Sequence, residues 1–233
     1  MTTEDRVALV TGGTSGIGLE VVKIFANNGY RVHAFGRNSQ QIESLNLEKV
    51  YFHKVNLSNL DDLEKACKAV LSKEDEGVDV IVNSAGVFFL RASDDITLED
   101  YNVMFDVNVR APIFIIKFFL EKMKKKCKGN IFNIGSSSCY NGGKLSSLYC
   151  ASKHALLGYS KSISDELKDY NIRVCNLSPS STKTKMGKIP LASNQLYDTF
   201  IDPKEVAETL YFILKFKGNM EIKELLLNRV RVQ

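Results

Sequence analysis

The 233-residue chain has few cysteines and few histidines, and neither set is grouped in sequence. Cys67, Cys127, Cys139, Cys150 and Cys175 are scattered, with no CxxC pair and no ligand-like spacing. That excludes a disulfide scaffold, and the odd count fits a reducing cytosol. His33, His53 and His154 do not cluster along the chain, so no metal site is expected. Long hydrophobic runs are missing too. The most apolar stretch, Ala111 to Leu120, contains Lys117 and is too short to span a bilayer. The segment Met1-Thr2-Thr3-Glu4-Asp5 is acidic and has no apolar signal core, so a cytoplasmic protein is expected. Charge of one sign is scarce, with a formal net charge of +4. The one dense basic run, Lys124, Lys125, Lys126 and Lys128, ends an apolar helical stretch and suits a helix C-terminus. It has no aromatic interleaving and no wider stripe, so neither a nucleic acid nor a membrane is expected as partner.

What is present is ordinary globular composition, 44% hydrophobic and 25% charged, which excludes disorder and collagen-like repeats. Short apolar runs alternate with amphipathic ones. Strands are expected at 7–10, 31–35, 50–55, 78–82, 131–134, 172–177 and 222–227. Helices are expected at 16–28, 60–71, 98–122, 147–170 and 203–216, the last with Asp202 as N-cap and Pro203 in its first turn. This alternation implies βαβ units. The expected fold is α/β, a doubly wound parallel sheet of about seven strands with helices on both faces. No repeat or linker interrupts it, so one domain over residues 1–233 is expected.

The first strand runs into Thr11-Gly12-Gly13-Thr14-Ser15-Gly16-Ile17-Gly18, and a helix follows. Strand, glycine turn and helix in that order form a dinucleotide site, because glycines let the backbone approach a pyrophosphate and the helix N-terminus favours its charge. The glycines at 12, 16 and 18 give TGxxxGxG rather than GxGxxG. In this the sequence resembles the short-chain dehydrogenase/reductase family. Extended members of that superfamily, epimerases and dehydratases, carry TGxxGxxG, and Ser15 stands where their central glycine would be. The resemblance extends from about Arg6 to Leu227.

Cofactor choice is read at the end of the second strand, where NAD enzymes place a carboxylate. Here the segment is Phe35-Gly36-Arg37-Asn38, with no acid. Arg37 offers a charged fork to a 2′-phosphate, so NADP(H) is expected over NAD(H). Asn83-Ser84-Ala85-Gly86 matches the family's NNAG, with Ser84 as a departure, and Asn56 takes the place of an adenine-contacting Asp. The resemblance implies a cofactor set of Gly12, Thr14, Ser15, Gly16, Ile17, Gly18, Arg37, Asn56, Leu57, Asn83, Ala85, Gly86, Tyr149, Lys153, Pro179 and Thr184.

Tyr149-Cys150-Ala151-Ser152-Lys153 puts a phenol and an ammonium on one helix face. A free tyrosine has a pKa of about 10, too high for efficient proton transfer at neutral pH, and a nearby ammonium together with an oxidised nicotinamide lowers it. By itself YxxxK is a common chance pairing. The resemblance adds three more positions. Ser136 lies thirteen residues before Tyr149, in Asn133-Ile134-Gly135-Ser136, and takes the place of the serine that binds the substrate oxygen. Ser137 and Ser138 are alternatives of poorer register. Asn108 matches the family's helix asparagine, implied to hold a water that serves Lys153, to brace the backbone, or both. Ser180 replaces a family glycine after Pro179, and a positive φ there costs a serine about 1 kcal/mol. Cys139 and Cys150 are expected to be buried and inert.

The resemblance implies hydride transfer between a nicotinamide and a carbonyl or secondary alcohol, with Tyr149 delivering the proton. A substrate loop is expected at about 185–201, with Met186, Ile189, Pro190, Leu191, Leu196, Tyr197 and Phe200 as an apolar lid. General carbonyl or 3-oxoacyl substrates, and a homodimer or homotetramer, are implied by the same likeness. Two other classes remain open at this point: a catalytically silent NADP-binding regulator or scaffold, and an epimerase or dehydratase.

Overall fold

The computed structural model describes residues 6–189, 197–216 and 218–230. Its strands are β1 (Val7–Thr11), β2 (Arg31–Gly36), β3 (Val50–Lys54), β4 (Val80–Asn83), β5 (Gly129–Ile134), β6 (Ile172–Pro179) and β7 (Glu224–Leu227). Its helices are α1 (Gly16–Asn27), α2 (Gln40–Glu43), α3 (Leu60–Leu71), α4 (Leu98–Phe105), α5 (Ala111–Lys126), α6 (Ser147–Leu167) and α7 (Pro203–Leu214). The strands form one seven-stranded parallel sheet in the order β3-β2-β1-β4-β5-β6-β7.

Each face of the sheet is covered by an apolar layer. Leu9, Ile81, Ile131 and Val174 pack with Leu63, Ile115 and Phe119, which places α3 and α5 on one face. Ala8, Val10, Val32 and Val82 pack with Val22, Phe25, Val206 and Leu210, which places α1 and α7 on the other. Strands enclosed on both faces read as continuous apolar runs, which is why they were legible. The chain starts in the middle of the sheet, builds β2 and β3 outward, then crosses to β4 and builds the other way. After β1 the chain passes to α1 on one face of the sheet and after β4 toward α5 on the other, so a crevice opens at the carboxyl edge. Along that edge the face beneath α6 turns polar. Thr11, Asn83, Asn133 and Asn176 are register neighbours, all buried. Asn83 Nδ2 donates to Asn133 Oδ1 at 2.8 Å, and Asn133 Nδ2 donates to Ser160 Oγ at 2.8 Å.

Three expectations change. The helix expected at 98–122 is α4 and α5 joined by a wide π turn over Asp106–Arg110, and it runs on to Lys126 before Cys127 turns left-handed at φ 45°. Two of the three histidines do come together in space. His33 Nδ1 lies 2.9 Å from His53 Nε2 across β2 and β3, and His33 Nε2 lies 3.0 Å from Glu74, which also holds Arg31 at 2.7 Å. Parallel pairing brings these residues together, and sequence separation hides it. Ser180 is not among the residues with positive φ, so the strain expected there does not arise.

Candidate active site

β5 delivers the first catalytic candidate. Beyond Ile134 the chain passes Gly135, where a Cβ would meet Ser178 Oγ at 2.5 Å, so only glycine lets the strand end this close to β6. Ser136 then caps a short 3-10 turn, Ser137–Cys139, with its Oγ accepting from the Ser138 N–H at 3.1 Å. Ser137 and Ser138 are taken up in that turn. The Cys139 sulfur accepts the Ser136 N–H at 3.4 Å and donates to the Lys153 carbonyl at 3.3 Å. Cys139 is therefore buried, as expected, and it stitches the serine turn to α6.

α6 presents Tyr149 and Lys153 one turn apart, 8% and 4% exposed. Burial pushes the Tyr149 phenol up to about 12, while its hydrogen bond with Ser136 pulls the other way. Burial pulls Lys153 down to about 8. Lys153 Nζ donates to the Ile134 carbonyl at 2.9 Å and stands 5.8 Å from the Tyr149 ring centroid. The lowering expected from sequence, by the lysine together with an oxidised nicotinamide, is not produced by these side chains by themselves: burial dominates, and Ser136 is what opposes it. His154 points away, with Nδ1 at 2.8 Å from the Cys150 carbonyl.

Asn108 lies in the π turn, buried. Its Oδ1 accepts the Val87 N–H at 2.8 Å, and its Nδ2 donates to the Val87 carbonyl at 3.0 Å and to Ser152 Oγ at 3.1 Å. Of the two roles expected, the bracing one is visible: the amide ties the loop after β4 to α6. Phe88, which sequence reasoning missed, follows in that loop. Its ring meets Tyr149 edge to face, with centroids 4.7 Å apart and planes at 87°. Only the hydrophobic character of Phe88 was readable; its contact arises from loop placement.

The cofactor candidates line the crevice. Gly12 has φ 65°, and a Cβ there would meet Ala85 Cα at 2.9 Å, so glycine allows the β1 and β4 loops to touch. The Ala85 N–H donates to Thr11 Oγ1 at 3.0 Å. Gly16 has φ 53° and faces the Thr184 side chain, which spans back from the far end of the chain. Ser15 is the exposed N-cap of α1 and makes no side-chain cap bond, and the first turn carries no acid. The helix N-terminus is thus left open toward the crevice, which fits a pyrophosphate. Gly18 and Ile17 pack inward, and Thr14 covers Gly36. Gly86 lies between Asn108 Oδ1 and Lys153 Nζ, 3.4 and 3.8 Å from where a Cβ would stand. Pro179 ends β6, buried.

Arg37 is exposed just past β2 and, among the described residues, has no hydrogen-bond or ion-pair partner. Asn56 Oδ1 is occupied by Ser58, from N–H at 3.2 Å and Oγ at 2.8 Å, which leaves its amide donors outward. Leu57 packs on the core. Asn83 spends its donor inside the sheet, and its Oδ1 is buried without a partner. A dinucleotide fits this donor set: open N–H groups, a free guanidinium and a buried lysine at opposite ends of one crevice.

Of the substrate loop, Met186–Lys188 and Tyr197–Thr199 form 3-10 turns, and Thr182 bridges Ile201 at its base. Met186 reaches to Gly86, Phe200 is buried and Ile189 is exposed. Pro190, Leu191 and Leu196 lie outside the described residues. No helix among the described residues is long and apolar enough to cross a membrane, and no three His, Cys, Asp or Glu side chains there are grouped to hold a metal.

Residues 6–193 match the family model for short chain dehydrogenases. The chain is 30% identical, over 89% of its length and 83% of the relative's, to a protein of Helicobacter pylori named as a probable short-chain type dehydrogenase/reductase. It is also 30% identical, over 95% and 96% of the two chains, to an uncharacterized oxidoreductase of Staphylococcus saprophyticus. Among solved structures it resembles an alcohol dehydrogenase of the archaeon Thermococcus sibiricus complexed with 5-hydroxy-NADP, with a TM-score of 0.86, 24% identity and 97% of each chain covered. A 3-ketoacyl-(acyl-carrier-protein) reductase of Brucella melitensis complexed with NADH gives a TM-score of 0.87 at 24% identity, again over 97% of each chain. At that identity the structures establish the fold, and the family model with the relatives establishes the rest: the chain belongs to the short-chain dehydrogenase/reductase family and is an oxidoreductase.

Proposed function

We propose that the chain, folding as one unit over residues 1–233, reduces a carbonyl to a secondary alcohol with NADPH in preference to NADH. The observation that carries this is the grouping of a buried Tyr149 with Ser136, whose hydroxyl opposes the rise in the phenol's pKa, and with Lys153, whose Nζ stands 5.8 Å from the Tyr149 ring centroid. Bound nicotinamide supplies the hydride. Ser136 orients and polarises the substrate oxygen. Tyr149, which burial keeps protonated at neutral pH, transfers its proton to that oxygen as it becomes an alkoxide. Lys153 stabilises the phenolate left behind, and it has N–H groups to spare for the cofactor ribose, since one goes to Ile134. Phe88 and the apolar foot of the 185–201 loop exclude water from the transfer.

The preference for NADP(H) rests on Arg37 and on the lack of an acid beside it. The two cofactor-bound structures described above carry different cofactors, an NADP derivative and NADH, so the fold takes either. The substrate is a small carbonyl compound or 3-oxoacyl unit. A cytoplasmic homodimer or homotetramer completes the reading, and light scattering that finds only monomer would count against the assembly. A silent NADP-binding regulator is the second reading. The decisive assay is NADPH oxidation against ketones, aldehydes and a 3-oxoacyl thioester, with NADH and Tyr149→Phe alongside. Turnover that depends on Tyr149 is expected; tight NADPH binding with no turnover favours the regulator.

A further inference from the structure

We propose that Arg229 anchors a carboxylate on the substrate, so that the carbonyl compounds reduced here are anionic; this deepens, and rests on, the reductase reading above.

Arg229 follows β7, and its surroundings place it at the carboxyl end of β6, beside Ser180 and Phe200. Its backbone N–H donates to Ser180 Oγ at 3.2 Å, and the Ser180 N–H donates to the Leu227 carbonyl at 2.8 Å. The segment after β7 is thereby fastened to the residue next to Pro179. This also gives Ser180 a use that glycine would lack. The guanidinium lies 4.9 Å over the ring of Phe200, at the foot of the 185–201 loop. Its Nη1 is buried and has no hydrogen-bond partner, and no described carboxylate pairs with it.

A buried guanidinium nitrogen without an acceptor is costly, and an aromatic face offsets only part of that. The missing partner is an anion. A planar fork matches a carboxylate in two-point geometry. The cofactor phosphates do not account for it. They belong to the α1 N-terminus and to Arg37, on the β1 and β2 side of the sheet, whereas Arg229 stands beyond β6. Lys153, the other buried cation of the site, has Ile134 as its partner. Arg229 is the cation left over, at the foot of the 185–201 loop.

The test compares acetoacetate with methyl acetoacetate, one charged and one neutral, using the full chain and NADPH. Arg229→Gln is expected to raise KM for acetoacetate by about tenfold or more and to leave KM for the ester unchanged, with Arg229→Lys between. Equal effects on both substrates, or none, would overturn the proposal. Calorimetric titration of butyrate and of inorganic phosphate into the NADP-loaded protein provides a readout without turnover. Butyrate should bind the wild type and not Arg229→Gln. Absence of butyrate binding, or preference for phosphate, overturns the carboxylate assignment. If butyrate binds through Arg229 while neither keto compound is reduced, the reductase reading fails and the anion site stands.

Discussion

Tyr149 and Lys153 are moved in opposite directions by one cause, since burial disfavours both the phenolate and the ammonium. For reduction this is a workable pairing. The acid stays loaded, and the cation that must stabilise its conjugate base is present below about 8 and lost above it. We expect kcat/KM for carbonyl reduction to be level through neutral pH and to fall as pH rises past about 8. In Lys153→Arg the charge persists, so the alkaline limb should vanish whatever activity remains; a limb that survives points to another group. Arg37 carries a second prediction at this scale. Without its guanidinium a 2′-phosphate loses a charge-assisted partner, so Arg37→Ala should raise KM for NADPH by about tenfold or more. KM for NADH should stay unchanged, and parallel losses with both cofactors would sink the assignment.

Among the elements, the π turn explains most. An amide held at three points by partners on other segments accounts for a helix that widens at that place. Asn108→Ala strips partners from the half-buried Val87 N–H and carbonyl, at up to about 1–3 kcal/mol for each group left unmade. A clear drop in melting temperature together with reduced kcat is expected, and a variant that keeps both would show the clasp to be idle. Helices such as Leu60–Leu71 were legible in the sequence to the residue, because caps and periodicity are local signals. The π turn was not, since its cause lies 21 residues away at Val87. The same divide runs through the site. Ser136, Tyr149 and Lys153 could be named as candidates from the resemblance together with the YxxxK spacing, because one strand end and one helix carry them. Phe88 on Tyr149, the Cys139 contacts and Arg229 against Ser180 depend on loops that meet only after folding.

For the molecule as a whole, the chain Arg31–Glu74–His33–His53 ties the sheet edge to the end of α3. His33 is fully buried, and burial lowers its pKa despite the opposing pull of Glu74. Burial, then the neighbouring His33 and Lys73, lower His53 from 6.5 to about 4. Both imidazoles stay neutral in the fold while the unfolded chain takes up protons, so stability falls as pH drops from 6.5 toward 4. Burial pushes Glu74 up, yet its bonds to Arg31 and His33 outweigh this and hold it low, so its share is lost only at more acid pH. Denaturation midpoints should decline across the histidine window and decline less in His53→Gln, which keeps a donor but cannot titrate. An unchanged slope would refute the assignment.

The wide turn at Asp106–Arg110 also makes the long helix a phase-setting device. It holds one residue more than a regular helix would need. Deleting Val107 would give a locally better helix and rotate everything before it by about 100° against everything after it. α4 and α5 pack on different partners, α6 and α3, so they could not both keep their faces. A gap of one residue in this stretch should therefore be harder to tolerate than most substitutions within it, and length, more than composition, is what selection must preserve here.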